Sequence, residues 1–438
     1  MAGASNPDHV EPVVSRPSRH RSRGSDTVSP AGSRVGGSSV TLPLSRRERT
    51  ASLKAGAAPG SVSAGRASSC RSPNLGEQPL RPLVSTSIGS GKASGSGLRS
   101  LTATATPTPP TSQGVSIKHL GPGAAEILPL RAGTPFTVSA FQHIGDRKSQ
   151  EDRFTVVPQL EPSNDGMPCA FFGVFDGTVG DFASESVKDL VIPKLFESPS
   201  WQALRQLPPA RWGDQDSLVE GALREMYRSV DESLLERCSQ STQHYSTCTS
   251  VTLIVVGDML AVGHLGDSRL IVGREVPGDA AVLIGEQMTV DHKPDQDSER
   301  RRIEQCGGMV ERLVNHCNKP FIRGGDFTMR KALGEQPMQL QYSRAFGAKD
   351  LKIFGLSSIP DVKVLHTAGP DSIRVRFAIL ASDGLWDVLS AQDAVRTAQQ
   401  AVSEGASPAQ ALVARALLDL SQRQAKSDNI TAICVHFD

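Results

Sequence analysis

CAFFGVFDG, residues 169–177, is a run of apolar and aromatic residues that stops at an Asp-Gly pair. The Phe and Val content reads as a β-strand. An Asp-Gly step at its end delivers the Asp176 carboxylate to the rim of a sheet, and Gly177 lets the backbone approach a ligand closely. The same arrangement recurs in IRVRFAILASDG (373–384), where Asp383 follows a strand and precedes Gly384. Asp428 stands just before the strand-like NITAICVHF (429–437), and Glu151-Asp152 just before RFTVVPQL (153–160). A single Asp-Gly is ordinarily a turn, but five acidic groups at strand termini, if convergent, cannot all stay ionised without counter-charge.

On either side of these, FTVSAFQHI (136–144) and TCTSVTLIVVGDMLAVGHLGDSRLIVG (247–273) are further strand-like runs, the second containing a hairpin turned at Gly257-Asp258. Helical patterns occupy 183–196, 217–238, 297–307, 391–402 and 408–424; in the second, Leu218, Ala222, Met226, Val230, Leu234 and Leu235 form one apolar stripe. Helices bracket groups of strands rather than alternating with single ones. That order predicts a layered α+β or sandwich domain, not a doubly wound parallel sheet.

The chain has 438 residues and a formal net charge of +1, an average that conceals two halves. Residues 1–120 hold 15 Lys/Arg and 5 Asp/Glu, leaving 32 basic against 41 acidic groups in the remainder. Every Phe, Trp and Tyr lies at or after Phe136. The segment 1–130, rich in Ser, Pro, Gly and Arg, is therefore expected to be a disordered basic tail, and 131–438 to be the folded domain. The tail's charge suits an acidic partner, while the absence of interleaved aromatics argues against nucleic acid. Gly89-Ser90-Gly91-Lys92 fails as a phosphate loop, since Thr86 and Ala93 occupy positions that need Gly and Ser/Thr.

No stretch approaches the roughly 18 apolar residues of a membrane span, and no signal pattern opens the chain. Seven cysteines form no C-x-x-C pair, which argues against a disulfide framework or a thiolate zinc site. A cytoplasmic or nuclear location and a monomeric chain are the expectations. Oxygen ligands without zinc-spaced His or Cys favour Mg²⁺ or Mn²⁺. An EF-hand at Asp295–Glu299 fails because Arg300 occupies the glycine position.

Eight ordered motifs, GDRKSQEDR (145–153), FFGVFDG (171–177), GHLGDSR (263–269), TVDHKP (289–294), RIEQCGGMV (302–310), YSRAFG (342–347), ASDGLWDVLS (381–390) and SDNIT (427–431), resemble the metal-dependent serine/threonine phosphatases of the 2C type. The resemblance covers 131–438 and implies a four-layer α/β/β/α sandwich of two antiparallel sheets flanked by helices. It implies hydrolysis of phosphoserine and phosphothreonine in phosphoproteins by water activated between two Mg²⁺ or Mn²⁺ ions. Asp176 would bridge the ions, Gly177 would offer its carbonyl, Asp383 and Asp428 would complete the shell, and Glu151 and Asp152 would hold metal-bound waters. Arg147 would grip the substrate phosphate, and Asp267 and Asp387 would share a weaker third ion with Asp383.

The family pattern Asp-Gly-His-Gly-Gly here reads Asp176-Gly177-Thr178-Val179-Gly180. The missing histidine is the family's general acid, a role worth roughly 10²–10⁴-fold in rate. With the carboxylates retained, a slow enzyme is expected; the alternative is a pseudophosphatase that binds phosphoproteins without turning them over. Ala348 replaces a common Asp, and the segment between Val310 and Tyr342 corresponds to the variable flap beside the cleft.

Overall fold

The computed structural model describes residues 126–127, 136–160, 167–241, 243–334, 338–367 and 374–437. The expected tail, 1–130, lies outside the described residues apart from a two-residue strand at Glu126–Ile127. Two antiparallel sheets dominate. One runs in the order Glu126–Ile127, Phe136–His143, Ile430–Phe437, Val375–Ala381, Arg269–Val276, Asp279–Gln287; the other Asp361–His366, Met259–Leu265, Ser250–Val256, Cys169–Phe175, Arg153–Val157.

Alternation along the strands decides which side chain enters which layer. Phe172 and Val174 of one strand, with Leu253 and Val255 of its neighbour, meet Val138, Leu270, Val272, Leu380 and Ile433 of the opposite sheet in the central core. Phe171 and Phe175, on the other face, pack with helices Phe182–Glu197, Pro199–Arg205 and Asp216–Gln240. Ile379, Ala381 and Cys434 do the same against Ala391–Ser403 and Pro408–Gln422. The result is the expected α/β/β/α sandwich, whose strands Cys169–Phe175 and Ser250–Val256 are buried along their whole length.

The hairpin turns where the sequence places it: Val256 pairs with Met259, and Gly257 takes φ +62°. The long helix is wider on its apolar side than the predicted stripe. Val219, Leu223 and Tyr227 are buried with Ala222, Met226, Val230 and Leu234, while Leu218 and Leu235 are only half-buried. Two strands absent from the sequence reading, Asp279–Gln287 and Asp361–His366, each form one edge of a sheet. An edge faces solvent on one side and needs less apolar content, so its pattern is weak. Cys169, Cys238, Cys248, Cys306 and Cys434 are not disulfide-bonded, whereas Cys317 is. Among the described residues, no helix is long and apolar enough to cross a membrane.

Candidate active site

Asp176 occupies the break between Cys169–Phe175 and the two-residue strand Gly177–Thr178, which pairs with Thr247–Cys248. Gly177 has no room for a side chain: a Cβ would lie 2.5 Å from the Glu151 carbonyl oxygen. Asp383 opens a single helical turn, Asp383–Trp386, after the strand Val375–Ala381. Gly384 abuts the Asn429 carbonyl, where a Cβ would come within 2.1 Å. These two close approaches draw the ends of three strands together at one end of the sandwich. There Arg147, Glu151, Asp176, Gly177, Asp267, Asp383 and Asp428 line one cleft of about 390 Å³, with Thr178, Val179, Phe321, Tyr342 and Asn429.

The remaining sequence-singled residues lie beside it. Asp152 is buried beneath the cleft, its Oδ2 accepting from Ser382 Oγ at 2.8 Å and Thr431 Oγ1 at 2.7 Å. Asp387 sits at the end of the Asp383 turn, exposed, with Lys319 Nζ at 3.4 Å. Lys319 belongs to the segment expected to be a flap, which here folds as Met309–Leu313, Lys319–Arg323 and Gln339–Leu340 and sends Phe321, Gln339 and Leu340 to the cleft.

Convergence has an electrostatic consequence. Burial first, and then the charges of Asp152, Asp383, Asp267 and Asp428, hold the Asp176 carboxyl well above its ordinary range. Burial and the charges of Asp267, Asp387 and Asp428 do the same to Asp383, against the opposing pull of Lys293. Asp152 is raised to about 6, chiefly by burial. Against seven carboxylates stand three cations: Arg147 on Asp428 at 2.5 Å, Lys293 on Asp267 at 2.5 Å, and Lys319. With all seven ionised the formal excess would be four negative charges on oxygen donors, some of them buried, a demand that hard divalent cations would meet.

The partners of Asn429 and Lys293 were not legible beforehand, whereas Val179 and Ala348 already stood out as departures from the family pattern. Asn429 ties the loop to the last strand, accepting from Glu151 N and donating to the carbonyls of Ile144 and Ser149. Lys293 lies in the TVDHKP motif without any local sign that it meets Asp267. Val179 adopts φ +64° while 54% exposed, a left-handed conformation that a β-branched residue tolerates poorly. Ala348 is also left-handed, at the start of Lys349–Lys352, and provides no side-chain cap.

A second cluster brings ligating atoms of His264, His292 and Asp361 within 4.8 Å of one another. Gly266 N–H donates to His292 Nδ1, which leaves Nε2 to carry the proton and donate to Asp361. Arg344 takes the other Asp361 oxygen, and the two imidazoles stack at 4.4 Å. Both ring nitrogens of His292 are engaged, so as it stands the cluster acts as a structural brace.

Comparison with known proteins agrees with this architecture. The family model described as Protein phosphatase 2C matches residues 136–430. The chain is 33% identical over 293 residues to "Probable protein phosphatase 2C 45" of Oryza sativa subsp. japonica, covering 67% of this chain and 84% of that one. It is 32% identical to "Probable protein phosphatase 2C 69" of Arabidopsis thaliana, over 67% and 68%. A crystal structure of a serine-threonine phosphatase 2C from Toxoplasma gondii is similar at 50% identity and a TM-score of 0.68, covering 74% of this chain and 100% of that one. With two antiparallel sheets, flanking helices and a carboxylate-lined cleft at one end, the chain belongs to the protein phosphatase 2C family of metal-dependent serine/threonine phosphatases.

Proposed function

We propose that this phosphatase hydrolyses phosphoserine and phosphothreonine in proteins with two Mg²⁺ or Mn²⁺ ions, slowly because Thr178 replaces the family's acid. The observation that carries the reading is the convergence of Glu151, Asp176, Asp267, Asp383 and Asp428 on one cleft, where burial and mutual repulsion resist their ionisation unless divalent cations are bound. Asp176, Gly177, Asp383 and Asp428 would hold them, with Glu151 and Asp152 behind, and Asp267 and Asp387 could take a weaker third with Asp383. When bound, such cations supply a water of lowered pKa and neutralise phosphoryl oxygens.

The chain's own groups do the rest. Arg147, paired with Asp428 and more than half exposed, is free to turn its fork to a phosphate once Asp428 is otherwise engaged. Asn429 holds the Glu151 backbone in place. Phe321 and Leu340 provide an apolar wall that excludes water from one side.

The test is manganese-dependent turnover of a phosphoserine peptide and of 4-nitrophenyl phosphate, each against Asp176→Ala. Activity on both, with the peptide more impaired and restored by Thr178→His, is the expected result; equal impairment of both substrates, or no rescue, contradicts this account of the acid step. The strained Val179 favours a second reading, a pseudophosphatase that keeps the cations for stability and docks phosphoproteins. Cation-dependent stabilisation with no turnover above the Asp176→Ala background would select it.

A further inference from the structure

Resting on the phosphatase reading, the leaving group poses a question the carboxylates do not answer. Breaking the P–O bond of a phosphoserine leaves an electron pair on an alkyl oxygen, and an O–H or N–H aimed at that oxygen lowers the barrier. Among the described residues that line the cleft, only Thr178 and Tyr342 carry a hydroxyl. Tyr342 is 5% exposed, and its Oη is buried with no hydrogen bond of ordinary geometry. Its close polar neighbours are the hydroxyls of Thr178 and Thr247, which sit opposite each other across the small sheet.

Thr247 is committed as a donor, giving its proton to the Phe346 carbonyl at 2.7 Å. Toward Tyr342 it can only accept. Tyr342 and Thr178 are therefore the two hydroxyls whose protons remain to be placed, one behind the other: Tyr342 buried, Thr178 half-exposed at the cleft surface. A buried phenol left without a partner carries a desolvation penalty of about 1–3 kcal/mol, which a proper acceptor would relieve.

We propose that Tyr342 is a positioning residue for the departing oxygen: its Oη–H donates to Thr178 Oγ1, which turns the Thr178 proton outward to donate to the seryl or threonyl oxygen as the P–O bond breaks. Thr178 is then the catalytic donor and Tyr342 acts through it. No proton need leave the protein. Burial holds the Tyr342 phenol well above its ordinary range, so it stays a donor throughout, and water supplies the proton that finally neutralises the released alcohol. The threonine in the histidine's place thus retains part of the missing function as a hydrogen bond rather than as an acid.

The experiment compares kcat on a phosphoserine peptide with kcat on 4-nitrophenyl phosphate, whose aryl oxide leaves with little need of a donor. The manganese-loaded full chain would be used, with Asp176→Ala as background. Tyr342→Phe keeps the ring and removes a hydroxyl whose proposed acceptor, Thr178 Oγ1, remains open to the cleft, so its melting temperature should change little. The peptide-to-aryl kcat ratio should fall about tenfold in Tyr342→Phe, with the peptide KM held. It should fall at least as far in Thr178→Val, recover in Thr178→Ser, and be no lower in Tyr342→Phe/Thr178→Val than in Thr178→Val alone. A wild-type ratio in a folded, active Tyr342→Phe overturns the proposal, as do multiplicative losses in the double variant. Wild-type turnover no higher than Asp176→Ala on both substrates instead removes the phosphatase reading, and the proposal with it.

Discussion

Replacing Asp152 with asparagine should stabilise the cation-free protein at neutral pH and destabilise the cation-loaded one. Asp152 is buried, and its carboxyl is raised from the ordinary 3.8 to about 6, first by burial and then by the neighbouring Asp428 charge, against the hydrogen bonds of Thr431 and Ser382. A group whose folded pKa is raised binds protons more tightly in the folded state, so stability is full below pH 3.8 and is lost as pH rises through about 6. At 1.36 kcal/mol per pKa unit, the ionised carboxylate costs about 3 kcal/mol at pH 7 and little at pH 4. An asparagine at this position can keep its oxygen toward Ser382 and Thr431 and turn its amide toward Asp176.

Urea denaturation in chelator across pH 4–7.5 measures the effect, and comparing variant with wild type at each pH removes contributions common to both. One such contribution is large. His264 is lowered to about 4, chiefly by burial, so its share of stability is present above pH 6.5 and is lost as pH falls toward 4, opposite in sign to that of Asp152. The gain from Asp152→Asn should grow from near zero at pH 4 to about 3 kcal/mol at pH 7, and reverse sign in millimolar manganese. A gain that is independent of pH, or no gain in chelator at pH 7, is incompatible with the electrostatic account of this cleft.

Val179→Gly should relieve a left-handed β-branched residue whose strain is of order 1–3 kcal/mol, raising stability by about 1 kcal/mol after the extra entropy of glycine, as read by urea denaturation. Arg147→Lys keeps the charge but loses the fork, so KM for a phosphopeptide should rise about tenfold with kcat little changed in steady-state assays. Glu299 is buried; burial raises its carboxyl, but hydrogen bonds from Arg302, Arg344 and Ser343 outweigh this and hold it at about 2. Its contribution is complete above pH 4.5 and is lost as pH falls toward 2, so Glu299→Gln should cost about 3–5 kcal/mol at pH 7 and flatten the acid limb of the stability curve.

The central strands, most helices, the Gly257-Asp258 hairpin and the acidic residues at strand ends were legible in the residue order alone. They are readable because backbone periodicity and turn chemistry act over a few residues. Edge strands such as Asp361–His366 escaped because solvent on one side removes the apolar demand that marks a strand. Which distant groups meet was settled by the packing of the chain. It set Arg147 against Asp428 and Lys293 against Asp267, and stacked His264 on His292. It brought Tyr342 and Thr178, far apart in the chain, to one cleft, and held Val179 in a left-handed conformation. Propensity is a local energy, whereas burial, repulsion between carboxylates and the pairing of hydroxyls depend on distances that exist only once the two sheets have packed.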